Sequence, residues 1–219
     1  MERWATFDCY GTLVDWRAGI RGELARLFGD ARADELLALY HELEPEAQRG
    51  AAIPYREVLA RTLAAVAAGA GLAVPDGEED ALAVSLPGWP IFPDTHDALT
   101  EVRRRGWQLA ILSNTDRDLI DASVAALAVP FELTVVASEI GSYKPAHRHW
   151  EVFAATSGAA PESHVHVAQS AFHDIAPANE LGLRSIWINR LAEPLGPPPS
   201  RELPDLTGLA DALDELVPA

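Results

Sequence analysis

Trp4-Ala5-Thr6-Phe7-Asp8-Cys9-Tyr10-Gly11-Thr12-Leu13-Val14-Asp15 is a short apolar run that ends on a carboxylate and then on a glycine turn. A run of this kind, bounded by turn residues, is the signature of a buried parallel strand. Four further runs repeat it: Gln108–Leu112, Leu133–Ala137, His164–Ala168 and Ser185–Ile188. Helix signals lie between them, such as Asp94-Thr95 before Ala98, Leu99 and Val102, and Asp116 before Leu119, Ile120 and Val124. Strand–helix alternation of this sort predicts an α/β fold, a doubly wound, Rossmann-like parallel sheet with helices on both faces.

Residues 17–87 interrupt the alternation. They are rich in Leu, Ala and Glu, with punctuation at Gly29, Pro45, Gly50–Pro54, Gly69–Gly71 and Pro75–Gly77, and they end at Pro87-Gly88-Trp89-Pro90, where proline restricts the backbone. The expectation is a helical cap domain over 17–87, inserted into an α/β core domain made of 1–16 and 88–219. The tail reads as proline-rich turns over Glu193–Pro204 and a closing helix over Asp205–Leu216.

In open parallel sheets, ligands bind beyond the carboxyl ends of the strands. The residues found there form a coherent chemical set: Asp8 after the first strand, Ser113-Asn114 after the second, Lys144-Pro145 beyond the third, and Gln169-Ser170-Ala171-Phe172-His173-Asp174 after the fourth. Asp8 can form an ester with an electrophilic centre, splitting one hard step into two easier ones. Lys144 favours the ionised form of Asp8 by placing a positive charge nearby. Gly11 lets the chain turn tightly toward a ligand. Asp174, or His173 beside it, can take a proton from a water that attacks the ester.

These four segments, in this order, resemble the motifs of the haloacid dehalogenase superfamily, and the resemblance extends over the sheet domain and the position of the helical insertion. It implies Asp8, Lys144, His173 and Asp174 as catalytic residues, and Cys9, Tyr10, Thr12, Ser113, Asn114, Gln169 and Ser170 as substrate-binding residues. Strand alternation turns the Cys9 side chain away from Asp8, toward the packing. The superfamily's phosphatases carry a second aspartate where Tyr10 stands, and a magnesium-binding aspartate where Gln169 stands. A phenol is a poor acid at neutral pH and a neutral amide weakens a site for a hard cation, so no metal and no other cofactor is expected.

The motif with tyrosine is similar to that of the L-2-haloacid dehalogenases, which implies displacement of halide from a small 2-haloacid. Three positions differ from that pattern: Ala171 in place of an asparagine, Trp150 in place of a tyrosine, and Glu42, Glu44 and Glu46 in Leu39–Gln48, where a cap arginine is usual. Asp-Cys-Tyr-Gly-Thr-Leu followed by Asp-Trp, with His-Asp in the last motif, also resembles the azetidine-2-carboxylate hydrolases, which open a strained ring at a C–N bond. In that reading Glu44 receives a substrate ammonium group. An aspartate esterified by either route is common to both.

Composition narrows the partners. With 33 acidic against 17 basic side chains, the formal charge of −16 repels phosphate backbones and anionic membranes. No nucleic acid or membrane partner is expected; the substrate is a small anionic or zwitterionic molecule, and the resemblance suggests a homodimer. A single cysteine, Cys9, and the absence of a signal-like apolar stretch point to a cytoplasmic protein. The pairs His147-x-His149 and His164-x-His166 invite a metal reading, but residues i and i+2 of a helix diverge, and the second pair lacks a third ligand nearby in sequence.

Overall fold

The computed structural model describes residues 2–48, 53–194 and 196–219. Its centre is a six-stranded sheet in the order β3-β2-β1-β4-β5-β6, with every pairing parallel. The strands are β1 (Arg3–Phe7), β2 (Trp107–Ser113), β3 (Leu133–Val136), β4 (His164–Ala168), β5 (Arg184–Ile188) and β6 (Arg201–Leu203). The five expected strands are present, β4 with the bounds expected and the others extended or trimmed by a residue at one end or both. The sixth was not expected, because Glu193–Pro204 reads as turn chemistry. β6 is three residues long and lies on the sheet edge between prolines, where a missing N–H costs least.

Both faces of the sheet are covered, and β2 shows how. Leu109 and Ile111 pack into one core cluster with Leu99 and Val102 of α5 (Thr95–Arg104) and with Leu209 and Leu213 of α10 (Leu209–Leu216). Ala110 and Leu112 pack into another with Trp150 and Phe153 of α8 (Arg148–Ser157). Alternate residues of one strand thus feed opposite faces, as a doubly wound sheet requires. The remaining sheet-associated helices are α6 (Arg117–Leu127), α7 (Ala137–Ile140) and α9 (Ala176–Glu180).

Residues 16–88 are helical between their loops: α1 (Trp16–Phe28), α2 (Asp30–Ala47), α3 (Tyr55–Gly69), α4 (Ala81–Ser85) and a short 3₁₀ turn, Leu86–Gly88. Asp15 caps α1, its carboxylate accepting the Ala18 N–H at 3.0 Å. Pro45 does not end α2, which runs on to Ala47. A proline so close to the last turn removes few hydrogen bonds. Part of the expected break at Gly50–Pro54 lies outside the described residues, and α3 begins directly after Pro54.

The two crossings between the helices and the sheet lie side by side: Asp15 donates its N–H to Pro90 O at 2.7 Å, and Phe92 donates to Leu13 O at 3.1 Å. Asp116 adds a longer-range tie. It does not cap its own helix α6; its two carboxylate oxygens accept the N–H groups of Tyr55 and Arg56, each at 2.9 Å, and so cap α3. Asp94 likewise leaves α5 uncapped and accepts from Arg190 and from the Leu206 N–H. No helix among the described residues is long and apolar enough to cross a membrane.

Candidate active site

The strand order reverses direction between β1 and β4, and a crevice opens at such a switch point beyond the carboxyl ends. Asp8 follows β1 there and donates its N–H to Val167 O at 3.1 Å, which locks the end of β1 to β4. Gly11 turns the chain with φ +100°, a conformation side chains rarely adopt. A Cβ at that position would stand 3.1 Å from Gln169 Oε1 and 3.2 Å from Trp16 Nε1. The turn therefore needs glycine for both its backbone and the close approach of Gln169.

A cleft of about 150 Å³ lies over this junction, large enough for a molecule of a few heavy atoms. Asp8, Tyr10, Ser113, Asn114, Lys144, Gln169, Ser170, His173 and Asp174 all line it. Two of the expected substrate-binding residues do not. Cys9 is fully buried in the core, where burial raises its thiol pKa, so its side chain has no route to a ligand. Thr12 is also buried; its hydroxyl donates to Asp8 Oδ2 at 3.1 Å and accepts the Gln169 N–H at 2.9 Å, so it braces the carboxylate.

Lys144 is the centre of the charge arrangement. Its ammonium group, 2 % exposed, donates to Asp8 Oδ1 at 2.9 Å, Asp174 Oδ1 at 2.6 Å and Leu112 O at 2.8 Å, using all three protons. Asn114 fixes the backbone beneath it, accepting the Lys144 N–H at 2.7 Å and donating to Lys144 O at 3.0 Å. Burial disfavours the ammonium form, but the two carboxylates overcome this and hold the Lys144 pKa above its usual value.

The two carboxylates diverge. Burial raises the Asp8 pKa above its usual value, and the charge of Asp174 adds to this while Lys144 opposes it. Lys144 favours the ionised form of Asp8, as expected, but desolvation outweighs it. Burial acts on Asp174 in the same sense, yet Lys144 and the His166 N–H together hold its pKa well below the usual range. His173 is held below its usual pKa by burial, so it is neutral at neutral pH, with Nδ1 3.1 Å from Ser170 Oγ. Ser170 also accepts the His173 N–H, which fixes the turn carrying Asp174.

Ser113 Oγ is buried in the cleft wall without a hydrogen-bond partner, a polar atom positioned for a ligand. Tyr10 has its hydroxyl 3.0 Å from Ser123 Oγ and its ring stacked on Tyr55; burial pushes its pKa far above the ordinary phenol value.

The opposite wall comes from the helices. Trp16, Tyr40, Glu44, Gln48 and Tyr55 line the cleft, and of these the sequence reading singled out only Glu44 for a site role. The missed signal is the spacing Tyr40, Glu44, Gln48, which places the first two on one face of α2 and the third, the residue that caps its end, in line with them. Glu44 accepts a hydrogen bond from Gln48, and burial raises its pKa. The charged groups lining the cleft are Asp8, Glu44, Asp174 and Lys144, so its formal charge is negative.

Among the described residues, no group of three His, Cys, Asp or Glu side chains is placed to hold a metal ion. The position between Asp8 and Asp174 is taken by the ammonium of Lys144, and Gln169 offers no charge. The carboxylates therefore do not suit a hard divalent cation.

A sequence model of the haloacid dehalogenase-like hydrolases matches residues 3–182, and the chain belongs to that family. A phosphoserine phosphatase of Thermus thermophilus is 31 % identical over 82 % of this chain and 72 % of its own length. An (S)-2-haloacid dehalogenase of a Pseudomonas species is 27 % identical over 95 % of this chain and 93 % of its own. The fold matches a solved L-2-haloacid dehalogenase of Xanthobacter autotrophicus, with a TM-score of 0.85 at 20 % identity over 97 % of this chain and 98 % of that one.

Proposed function

We propose that the protein hydrolyses a small 2-substituted carboxylic acid through an ester on Asp8, and that the reaction is hydrolytic dehalogenation of an L-2-haloacid. The observation that carries this reading is the pairing of Asp8 with Tyr10. A carboxylate braced by Lys144 and Thr12 faces the cleft, while the side chain two residues on is a phenol with a strongly raised pKa whose oxygen lies beside Ser123. Such a site has a nucleophile and no acid for a leaving oxygen, so it suits a leaving group that departs as an anion without a proton.

In the first half-reaction an Asp8 oxygen attacks C2, the carbon–halogen bond breaks, and the halide leaves with the bonding pair. In the second, water attacks the Asp8 carbonyl carbon as His173 or Asp174 takes a proton from it, and the bond from that carbon to the ester oxygen breaks; the same proton passes to the departing alkoxide, releasing a 2-hydroxy acid and restoring the Asp8 carboxylate. Ser113 and the second amide proton of Asn114 hold negative charge on the substrate, and Lys144, whose protons are all engaged, adds its charge nearby. The helical segment 17–87 acts as a cap that selects it, because one wall of the cleft belongs to α1, α2 and α3.

Glu44 favours a second reading. An acidic side chain in an already negative cleft suits a substrate with an ammonium group, such as a small strained cyclic amino acid opened at its C–N bond by the same ester route. Single turnover in ¹⁸O-water tests the common step. Label should enter Asp8, with the first product carrying the enzyme's own oxygen; label in that product and none in Asp8 would show direct attack by water. Halide release against ring opening on a panel of both compound classes then separates the two substrates.

A further inference from the structure

Among the described residues the pair His164-x-His166 belongs to no group of three His, Cys, Asp or Glu side chains placed for a metal ion, yet it is not idle. On β4 the two side chains point to the same face, and Thr6 of β1 lies opposite His166 in the parallel register. The three side chains form one buried hydrogen-bonded chain: His164 Nε2 is 2.7 Å from Thr6 Oγ1, which is 2.8 Å from His166 Nδ1, and His166 Nε2 is 2.9 Å from Asp174 Oδ1. His166 and Thr6 are fully buried, and Trp150 packs edge-on against the His166 ring at 5.2 Å.

The direction of this chain follows from its end. Asp174 is held ionised and has no proton to give, so His166 Nε2 must be the donor. Thr6 Oγ1 lies within reach of both His166 Nδ1 and His164 Nε2 and can donate to one and accept from the other, so it is placed to fix which nitrogen of His166 carries a proton, as second partners of functional histidines commonly do.

We propose that His166 is a positioning residue for Asp174: His166 and Lys144 grip Oδ1 from two sides, leaving Oδ2 to orient the water that attacks the Asp8 ester. Among the described residues Oδ2 has no hydrogen-bond partner, although Asp174 lines the cleft. A single grip from Lys144 would allow the carboxylate to rotate about the bond to its own Cβ; the second partner removes that freedom. Lys144 serves both carboxylates and so both half-reactions, whereas of the two carboxylates His166 touches only Asp174 and should act on the second alone.

This inference rests on the Asp8 ester proposed above, and two measurements keep the two ideas separable. In single-turnover experiments with (S)-2-chloropropionate, intact-protein mass reports the ester on Asp8. His166→Phe should leave ester formation within about twofold and slow its hydrolysis on the order of tenfold, the loss expected for one hydrogen bond to a charged group, so that the ester accumulates. His166→Gln, whose amide reaches the position of Nε2, should recover most of the rate. Equal slowing of both half-reactions, or no change in either, would overturn the assignment. Independently of any substrate, long-range ¹H–¹⁵N spectra of the wild-type protein should show a proton on His166 Nε2 whose shift changes in Asp174→Asn. A bare Nε2 with the proton on Nδ1 would refute the proposal even if the ester forms. Absence of the ester with a protonated Nε2 would strike the Asp8 reading and leave the His166–Asp174 contact standing.

Discussion

Asp8 and Asp174 share one ammonium group, that of Lys144, yet their acidities shift in opposite directions. Asp174 has a second donor, His166, whereas Asp8 adds only the hydroxyl of Thr12 and remains dominated by its own burial. One residue is thus stabilised as an anion and the other is left reactive. A nucleophile with a raised pKa is the more basic, hence the better attacking group once ionised.

The acid limb of the ester-forming step should therefore lie above the ordinary aspartate value of about 4. Asp8 must be ionised to attack, so activity is present above its raised pKa and is lost as pH falls through it. A pH profile of kcat/KM that stayed flat down to the ordinary value would contradict this.

Stability should respond to the same two residues with opposite sign. The depressed pKa of Asp174 contributes stability that is present above its unfolded value and is lost as pH falls toward the folded one. The raised pKa of Asp8 makes its charge unfavourable at neutral pH, so Asp8→Asn should be inactive yet melt no lower than the wild type at pH 7. Thermal melts of Asp8→Asn and Asp174→Asn between pH 3 and 7 would check both, the second variant melting lower at pH 7.

Lys144→Met leaves two buried carboxylates without their cation. Removing one partner of a buried ion pair costs about 3–5 kcal/mol, and the variant should lose turnover and melt several degrees lower. Adding Asp8→Asn to it should restore part of the lost stability, since one uncompensated charge is gone; a double variant no more stable than the single one would argue against the shared-charge account.

Turnover should survive excess chelator, because Lys144 occupies the space between the carboxylates and Gln169 adds no charge. Loss of activity in EDTA that magnesium restores would reverse this.

Glu44→Gln keeps the shape of the cleft wall while removing a negative charge. For a 2-haloacid it should lower KM, by roughly tenfold or about 1.4 kcal/mol, and for a substrate carrying an ammonium group it should raise KM by a similar factor. Steady-state kinetics on both classes would read the sign directly.

The sheet and most of the residues that line the cleft at its carboxyl edge were legible because they follow apolar runs, and burial on both faces leaves few alternatives to a parallel strand. What escaped were relationships that cross between distant segments. Asp94 and Asp116 look like caps for the helices that follow them, but their carboxylates are claimed by Arg190 and Leu206 and by α3. β6 hid among prolines because an edge strand needs hydrogen bonds on one side only. The role of Tyr40, Glu44 and Gln48 was visible as a spacing, but sequence alone does not tell which face of a helix meets the sheet. His166 read as a metal ligand without companions; its partner Asp174 lies eight residues on, after a turn whose path could not be foreseen.

Asn114 and Asp116 stand two residues apart on one loop, the first gripping the backbone of Lys144 and the second the opening turn of α3. Any displacement of α3 that drags on Asp116 therefore tugs at the support of the Lys144 amine. A lid that swings away from the sheet would do more than admit solvent: it would loosen the charge balance at Asp8 at the same moment. On the proposed reading of Asp8 as nucleophile and of the helices as a cap, chemistry and closure would become a single event, and a molecule too large to let α3 seat would meet a nucleophile not yet armed.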